Sequence, residues 1–291
     1  MNPRPSTSDQ TLFFGRLADV CLAHASLLAV RLAPRRVAPP NLDDLPGQTR
    51  LLNTLVSEQA ALIHATAPFV CAYILDAPWF ERLGPIAAAL IQTIRRTVPA
   101  ELPLIWDGQR GETGPAAAAY AQYCFDALGL DAVTLNPYAG PEVVTPYLVY
   151  PAHGHFVLCA TEHAPGAGLQ QLEISDWRML DREPNQPLYV HVSRAVQHWS
   201  PWAGVMIAGG DAHIIGSVRA VAPERWLLLT QLDPQARSAC LRSGLDVHGF
   251  GLVVDDGGSV AAASNRQSAA DALRSEINEV RRWAGARNAS V

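Results

Sequence analysis

Short apolar runs alternate along this chain with longer segments in which apolar residues recur at helical spacing. The runs are continuous, as expected of parallel strands that are covered on both faces. They predict eight strands, at residues 27–32, 68–75, 102–106, 131–136, 155–160, 204–208, 226–230 and 250–254. Helices are predicted at residues 11–25, 48–65, 78–97, 115–128, 142–149, 187–199, 211–221, 234–241 and 269–283.

Eight strand–helix units in 291 residues are typical of one α/β domain, a (β/α)8 TIM barrel. We therefore predict a single barrel over residues 1–291, with a polar N-terminal tail at 1–10 and a long loop insertion after the fifth strand at 161–186. An open doubly wound sheet is the structural alternative. It is disfavoured because no G-x-G-x-x-G fingerprint follows the first predicted strand.

The composition excludes several classes of partner. A net charge of −5 offers no electrostatic attraction for nucleic acid or an anionic membrane surface. The start lacks a signal pattern, and no apolar run approaches the ~20 residues that span a bilayer. The five cysteines are scattered and odd in number, which favours buried thiols in a reducing compartment. We predict a cytoplasmic protein that binds neither nucleic acid nor membrane.

All 22 basic residues are arginines, because the chain contains no lysine. Arginine codons are favoured in GC-rich genomes, which accounts for most of this bias. The chemical consequence holds all the same. Arginine stays protonated in proteins, whereas the pKa of lysine can be tuned so that it gives up a proton. No lysine is present to act as a general acid.

Polar residues follow the third predicted strand, at the end where α/β proteins keep their chemistry. The apolar strand runs into Asp107, Gln109, Arg110 and Glu112, and glycines open the turn to the next helix. This stretch resembles the D-x-K-R-x-D-I signature of the orotidine 5'-phosphate decarboxylase family. The sequence D-A-V-T-L-N-P-Y-A-G at residues 131–140 is similar to that family's fourth-strand motif, D-A-V-T-v-N-P-Y-x-G.

Further segments resemble the long bacterial branch of the same family, in the same order along the chain. They lie at residues 27–34, 72–84, 119–121, 156–170 and 264–266. The resemblance implies a (β/α)8 barrel, no cofactor and a pyrimidine-nucleotide ligand. It also implies a dimer with the active site at the subunit interface.

The resemblance assigns roles to individual positions. The family's catalytic Asp-Lys-Asp set falls on Asp107, Gln109 and Glu112, so that only the first keeps the family's residue. In the family, the lysine delivers a proton to the carbon that the carboxylate leaves. The second aspartate, here Glu112, reaches into the partner subunit. The substrate-binding positions are Asn136, Thr161, Glu162 and Arg266.

Other positions depart from the family's pattern. Ala33 replaces a substrate-contacting aspartate, Ile74 replaces a second lysine, and Glu162-His163 replaces a Ser-Asn pair of the pyrimidine pocket. Residues 230–237 replace a glycine-rich phosphate loop, and Asp233 within them is predicted to be a helix N-cap. The final phosphate contact has its counterpart in Arg266. Weak or absent nucleotide binding is the expected result.

These losses favour a catalytically degenerate member of the family, kept for pyrimidine-nucleotide binding, regulation or assembly. The predicted assembly is a homodimer or a heterodimer with a lysine-bearing paralogue. One alternative is an active or residual decarboxylase in pyrimidine (UMP) biosynthesis. Another is a barrel repurposed as an enzyme through the rim residues Asp107, Glu112, Glu162 and His163.

Two further interpretations concern histidines and acidic residues. A divalent metal among the rim residues, which also include Asp211 and His213, is weighed and not adopted, because no spacing is diagnostic. His153 and His155 lie at the start of the fifth predicted strand, at the end of the barrel opposite the rim, and are expected to be loop residues.

Overall fold

The computed structural model of the chain describes residues 12–34, 38–41, 43–161, 168–174, 185–209 and 211–288. Its centre is a closed barrel of eight parallel strands in the order β1-β2-β3-β4-β5-β8-β9-β10, which confirms the predicted (β/α)8 barrel. The strands of the barrel are β1 (Leu28–Leu32), β2 (Ala72–Asp76), β3 (Leu104–Arg110), β4 (Ala132–Leu135), β5 (Gly154–Thr161), β8 (Gly204–Ala208), β9 (Leu227–Thr230) and β10 (Leu252–Asp255).

The predicted insertion after the fifth strand contributes a two-stranded antiparallel ribbon, β6 (Glu173–Ile174) with β7 (Gln186–Pro187). The α-helices are α1 (Phe13–Ala23), α2 (Leu45–Thr66), α3 (Ala77–Glu81), α4 (Ala87–Thr97), α5 (Gly114–Gln122), α6 (Leu188–Trp199), α7 (Ala212–Val221), α8 (Arg237–Gly244), α9 (Ser259–Ala262) and α10 (Arg266–Asn288). In the described ranges, no helix combines the length and the apolar character needed to cross a bilayer.

Helix α1 covers the amino-terminal end of the barrel with aromatic rings. Phe14 stacks on Trp226 and meets Phe156 edge to face, with ring centroids 6.1 and 5.3 Å apart. Gly154 and Gly204 leave space for these rings, because a Cβ at Gly154 would lie 2.3 Å from the Phe13 ring and one at Gly204 would lie 2.5 Å from the Phe156 ring. These rings close the amino-terminal end, and barrels of this kind carry their chemistry at the opposite, carboxyl-terminal end.

Three helix predictions need correction. The helix predicted at 78–97 is broken into α3, a 3-10 turn (Gly84–Ile86) and α4, because Gly84 is left-handed (φ +57°) and Pro85 has no N–H to donate. The helix predicted at 142–149 is replaced by 3-10 turns at Pro137–Val143 and Thr145–Tyr147. Asp233 is not an N-cap: its carboxylate accepts from the Gln235 N–H, 2.9 Å away, in a turn that precedes α8.

The loop prediction for His155 is wrong. His155 lies within β5, is 1% exposed, and its Nε2 is 3.1 Å from the Ser200 hydroxyl. Burial lowers the pKa of His155 to about 4, and the charge of Arg225 adds to the effect. His155 is therefore neutral in the folded protein at neutral pH.

This burial predicts an acid-labile fold. An unfolded histidine binds a proton below pH ~6.5, but folded His155 does so only below about 4, so stability is complete above 6.5 and declines between 6.5 and 4. When the pH falls from 7 to 5, the free energy of unfolding decreases in both proteins. The decrease should be about 2 kcal/mol smaller in His155→Gln than in the native chain. Urea titrations at both pH values measure the difference. Equal losses in the two proteins would contradict the assignment.

Candidate active site

One arginine lies among aspartates at the carboxyl-terminal end of the barrel. Arg31 of β1 is 6% exposed at its side chain, and its Nε and Nη2 donate to Asp255 Oδ2 at 2.9 and 2.6 Å. Nη2 also donates to Asp107 Oδ2 at 2.9 Å, and Nη1 lies 3.3 Å from Asp76 Oδ2. We call these four residues the Arg31 cluster.

The cluster fixes the protonation state of its arginine. Burial alone would lower the pKa of Arg31, but the carboxylates of Asp255, Asp107 and Asp76 outweigh burial and raise it above its ordinary range. Burial raises the pKa of Asp255, although Arg31 opposes that change. Arg31 is thus a permanent cation that cannot act as a proton donor.

A fourth aspartate, Asp256, holds the backbone on which Arg31 lies. The carboxylate of Asp256 accepts the backbone N–H groups of Arg31 (2.7 Å), Val260 (2.8 Å) and Gly258 (3.1 Å). Burial and the neighbouring Asp255 raise the pKa of Asp256 to about 6. Among the described residues, aspartates therefore outnumber arginines at this end of β1 and β10.

Asp107 and Gln109 lie on a bulge of β3. The pairing of β3 with β4 jumps from Trp106–Val133 to Arg110–Leu135, so that three residues of β3 oppose Thr134 alone. The Thr134 hydroxyl donates to Asp107 Oδ1 and accepts from the Gln109 N–H, each at 2.9 Å. The backbone of Gln109 is left-handed (φ +46°), and its side-chain amide nitrogen, Nε2, lies 3.5 Å from Asp107 Oδ1. The bulge therefore holds a neutral amide beside Asp107.

The left-handed backbone at position 109 carries a measurable cost. A left-handed conformation costs a non-glycine residue about 1–2 kcal/mol, and glycine adopts it freely. Gln109→Gly should therefore raise the free energy of unfolding by about 0.5–1 kcal/mol, whereas Gln109→Ala, which keeps the strain, should not. Urea unfolding of both variants measures this. A glycine variant no more stable than the alanine variant would rule out strain here.

Glu112 belongs to a different group of side chains. Its Oε1 lies 3.7 Å from Arg110 Nη1, and Arg110 also pairs with Glu81. The Arg110 Nε donates to the Tyr120 hydroxyl at 3.1 Å, and its guanidinium lies 4.8 Å from the centre of that ring. Of the predicted catalytic set, the structure brings Asp107 and Gln109 together and leaves Glu112, which is about one-third exposed, with Arg110.

The sequence resembles that of named relatives over most of the chain. It is 31% identical over 280 residues to an orotidine 5'-phosphate decarboxylase of Roseiflexus castenholzii, and the match covers 91% of this chain and 97% of that protein. The chain belongs to the orotidine 5'-phosphate decarboxylase family. The family predicted from the motifs is thus confirmed.

Two further comparisons agree with this family assignment. The chain is 29% identical over 277 residues to the bifunctional enzyme PyrF/PyrE of a Nostoc species, and spans 55% of that longer protein. A structure of the Leishmania donovani OMP decarboxylase superposes with a TM-score of 0.79 at 30% identity, covering 93% of this chain and 98% of that one. No protein-family model matches the chain.

The predicted substrate-binding positions of this family barrel lie on separate elements: Asn136 follows β4, Thr161 ends β5 and Arg266 begins α10. Asn136 Oδ1 accepts from the Tyr138 N–H at 3.0 Å, and the Thr161 N–H and hydroxyl both donate to Gln170 Oε1, at 2.7 and 3.1 Å. In the described parts of the chain, neither Asn136 nor Arg266 bonds to the Arg31 cluster through its side chain. Glu162 and His163 lie outside the described residues.

The metal alternative gains no support from the described residues. No group of three or more histidine, cysteine or acidic side chains among them could hold a metal ion. The predicted rim residue Asp211 is used instead as the cap of α7, where its carboxylate accepts from the His213 N–H at 2.7 Å. The helix predicted at 211–221 is thus α7, and Asp211 is its N-cap.

Sequence reasoning missed Arg31, Asp76 and Asp255. The signal was present, because Arg31 interrupts a run of apolar residues in a strand that was predicted to be buried. An arginine inside such a strand requires carboxylate partners, since an unpaired charge is almost never fully buried. The two aspartates at the ends of neighbouring strands were the candidates for that pairing.

Proposed function

We propose that this barrel has lost independent orotidine 5'-phosphate decarboxylation and is kept for binding a pyrimidine nucleotide or a partner protein. The supporting observation is the chemistry around Asp107. Its cationic neighbour is Arg31, which cannot release a proton, and the residue in the lysine position is the neutral Gln109. Loss of a carboxylate from carbon leaves a carbanion that must be protonated, and no side chain of this group supplies the proton.

The expected loss of rate is large. A positioned general acid contributes ~10²–10⁴-fold, and preorganised charge at a reacting centre contributes a further factor of similar size. The arginine of the Arg31 cluster is already held by Asp255, Asp107 and Asp76, so it is not available to pair with the carboxylate of a substrate. Both effects reduce turnover, and the second also weakens the binding of a carboxylate-bearing nucleotide.

Steady-state turnover of orotidine 5'-phosphate tests this proposal. The Roseiflexus relative serves as the positive control, and the Asp107→Ala variant of this chain measures any rate due to contaminating enzyme. We expect the native chain to show no turnover above that of the Asp107→Ala variant. Turnover comparable to that of the relative would overturn the proposal and establish an active decarboxylase in pyrimidine biosynthesis.

A ligand titration and an assembly measurement distinguish the two possible retained roles, nucleotide binding and partner binding. Calorimetric titration with uridylate tests for a surviving nucleotide site, in which we place Asn136, Thr161 and Arg266. Light scattering distinguishes a homodimer from a monomer, and mixing with a lysine-bearing family member tests for a heterodimer. Uridylate binding without turnover supports a ligand-sensing role. Heterodimer formation without uridylate binding supports a partner role.

A further inference from the structure

The side chain of Arg31 reaches across one neighbouring strand. Arg31 is paired in register with Ile74 on β2, and Asp76 on β2 is paired with Asp107 on β3. Side chains paired in register on parallel strands leave the sheet on the same face. Arg31 Nη2 nevertheless contacts Asp107, two strands away, at 2.9 Å. Its guanidinium therefore crosses in front of Ile74.

Asp76 and Asp107, two of the carboxylates that Arg31 reaches, need a cation between them. Asp76 and Asp107 are neighbours in register, and like charges at such positions repel each other. Arg31 is the one cation that forms an ion pair with Asp107 in the described part of the chain. Ile74 is fully buried and uncharged, so its own strand contributes no positive charge at this level.

We propose that Arg31 is a relocated active-site cation, which supplies from β1 the positive charge that the family's pattern places at position 74 on β2. The family motif that residues 27–34 resemble, L-L-c-V-G-L-D-P, has glycine at position 31, and the motif that residues 72–84 resemble has lysine at position 74. This chain has arginine and isoleucine at these two positions. The two differences are one coupled exchange. Arg31 is a positioning residue that orients Asp107 through the hydrogen bond from its Nη2 to Asp107 Oδ2. The proposal uses the same family alignment as the proposed function.

A double-mutant cycle on stability tests the exchange. Arg31→Met removes the charge at similar volume and should lower the folded-to-unfolded ratio about 100- to 1,000-fold, because buried carboxylates lose their cation. Ile74→Lys alone should also lower the ratio, since a second cation is forced beside Arg31. The double variant Arg31→Met/Ile74→Lys should recover to within about tenfold of the native chain. Additive losses would overturn the proposal.

A matched control separates the exchange from a general effect of adding lysine. Leu75 is equally buried on the same strand, but its side chain leaves the opposite face. Arg31→Met/Leu75→Lys should therefore give no recovery. If Arg31→Met does not fold, cooperative urea unfolding of the double variant Arg31→Met/Ile74→Lys is sufficient to support the exchange. A double variant that also fails to fold overturns it.

The charge on Asp107 gives a second readout that packing alone would not move. In the Arg31→Met background, Asp107→Asn should raise the folded-to-unfolded ratio about tenfold, because it removes an unpaired buried carboxylate. In the native chain and in Arg31→Met/Ile74→Lys, the same substitution should lower the ratio. A uniform effect in all three backgrounds would overturn the proposed role. Because unfolding and not turnover is measured, failure here is distinct from failure of the proposed function.

Discussion

Replacing Asp255 with alanine should lower the free energy of unfolding by about 3–5 kcal/mol, because it leaves Arg31 buried without its strongest partner. Asp255 is fully buried at its side chain and accepts two of the Arg31 N–H groups, at 2.9 and 2.6 Å. Removing one member of a buried pair costs more than the pair itself contributes, since the remaining charge stays desolvated. Urea unfolding at pH 7 measures the loss.

Asp76 provides the matched control for this prediction. It contacts the same guanidinium at the longer distance of 3.3 Å, and its side chain is 15% exposed, so water can replace part of what is lost. Asp76→Ala should therefore cost about 1–2 kcal/mol. Equal losses for the two alanine variants would show that Arg31 does not depend on Asp255 in the way that the geometry indicates.

Gln109→Lys should raise the turnover of orotidine 5'-phosphate at least about 100-fold above the background rate that the native chain and the Asp107→Ala variant share. The amide nitrogen of Gln109 already lies 3.5 Å from Asp107 Oδ1, so a lysine ammonium placed there has a carboxylate partner. It would restore both a charge and a transferable proton beside the site. The rate constant for product formation, measured with saturating substrate, checks this prediction.

Gln109→Arg is the control that separates charge from proton donation. The substitution adds the same positive charge as lysine, but the guanidinium retains its proton, because the pKa of arginine lies above the range in which proton transfer is useful. The arginine variant should remain at the native rate. Equal gains for the lysine and arginine variants would show that charge alone was missing. No gain for either would place the cause elsewhere, in the phosphate loop or at position 33.

The barrel and its family could be predicted from the sequence because both depend on local patterns. Continuous apolar runs specify parallel strands covered on both faces, and the third- and fourth-strand motifs carry the resemblance. The errors arose where a single residue alters the backbone. Gly84 and Pro85 end a helix that apolar spacing alone extends to residue 97, and Asp233 closes a turn and not a helix.

The site was harder to predict, because its partners are distant along the chain. Arg31 and Asp255 are 224 positions apart, and only the closed barrel brings them together. Asp107 was found through its motif, but the motif does not specify which cation it pairs with. His155 was expected in a loop because it stands at the very start of the predicted strand, whereas β5 begins one residue earlier, at Gly154, and includes it.

A single-turnover reaction tests the central claim most directly. The native chain, in excess over orotidine 5'-phosphate, is incubated with it for hours, and the fraction converted to uridylate is measured. Our account predicts that the substrate is recovered unchanged, apart from any conversion that the Asp107→Ala variant also shows. Stoichiometric conversion by the native chain but not by that variant would contradict it, because the barrel would then decarboxylate without a lysine.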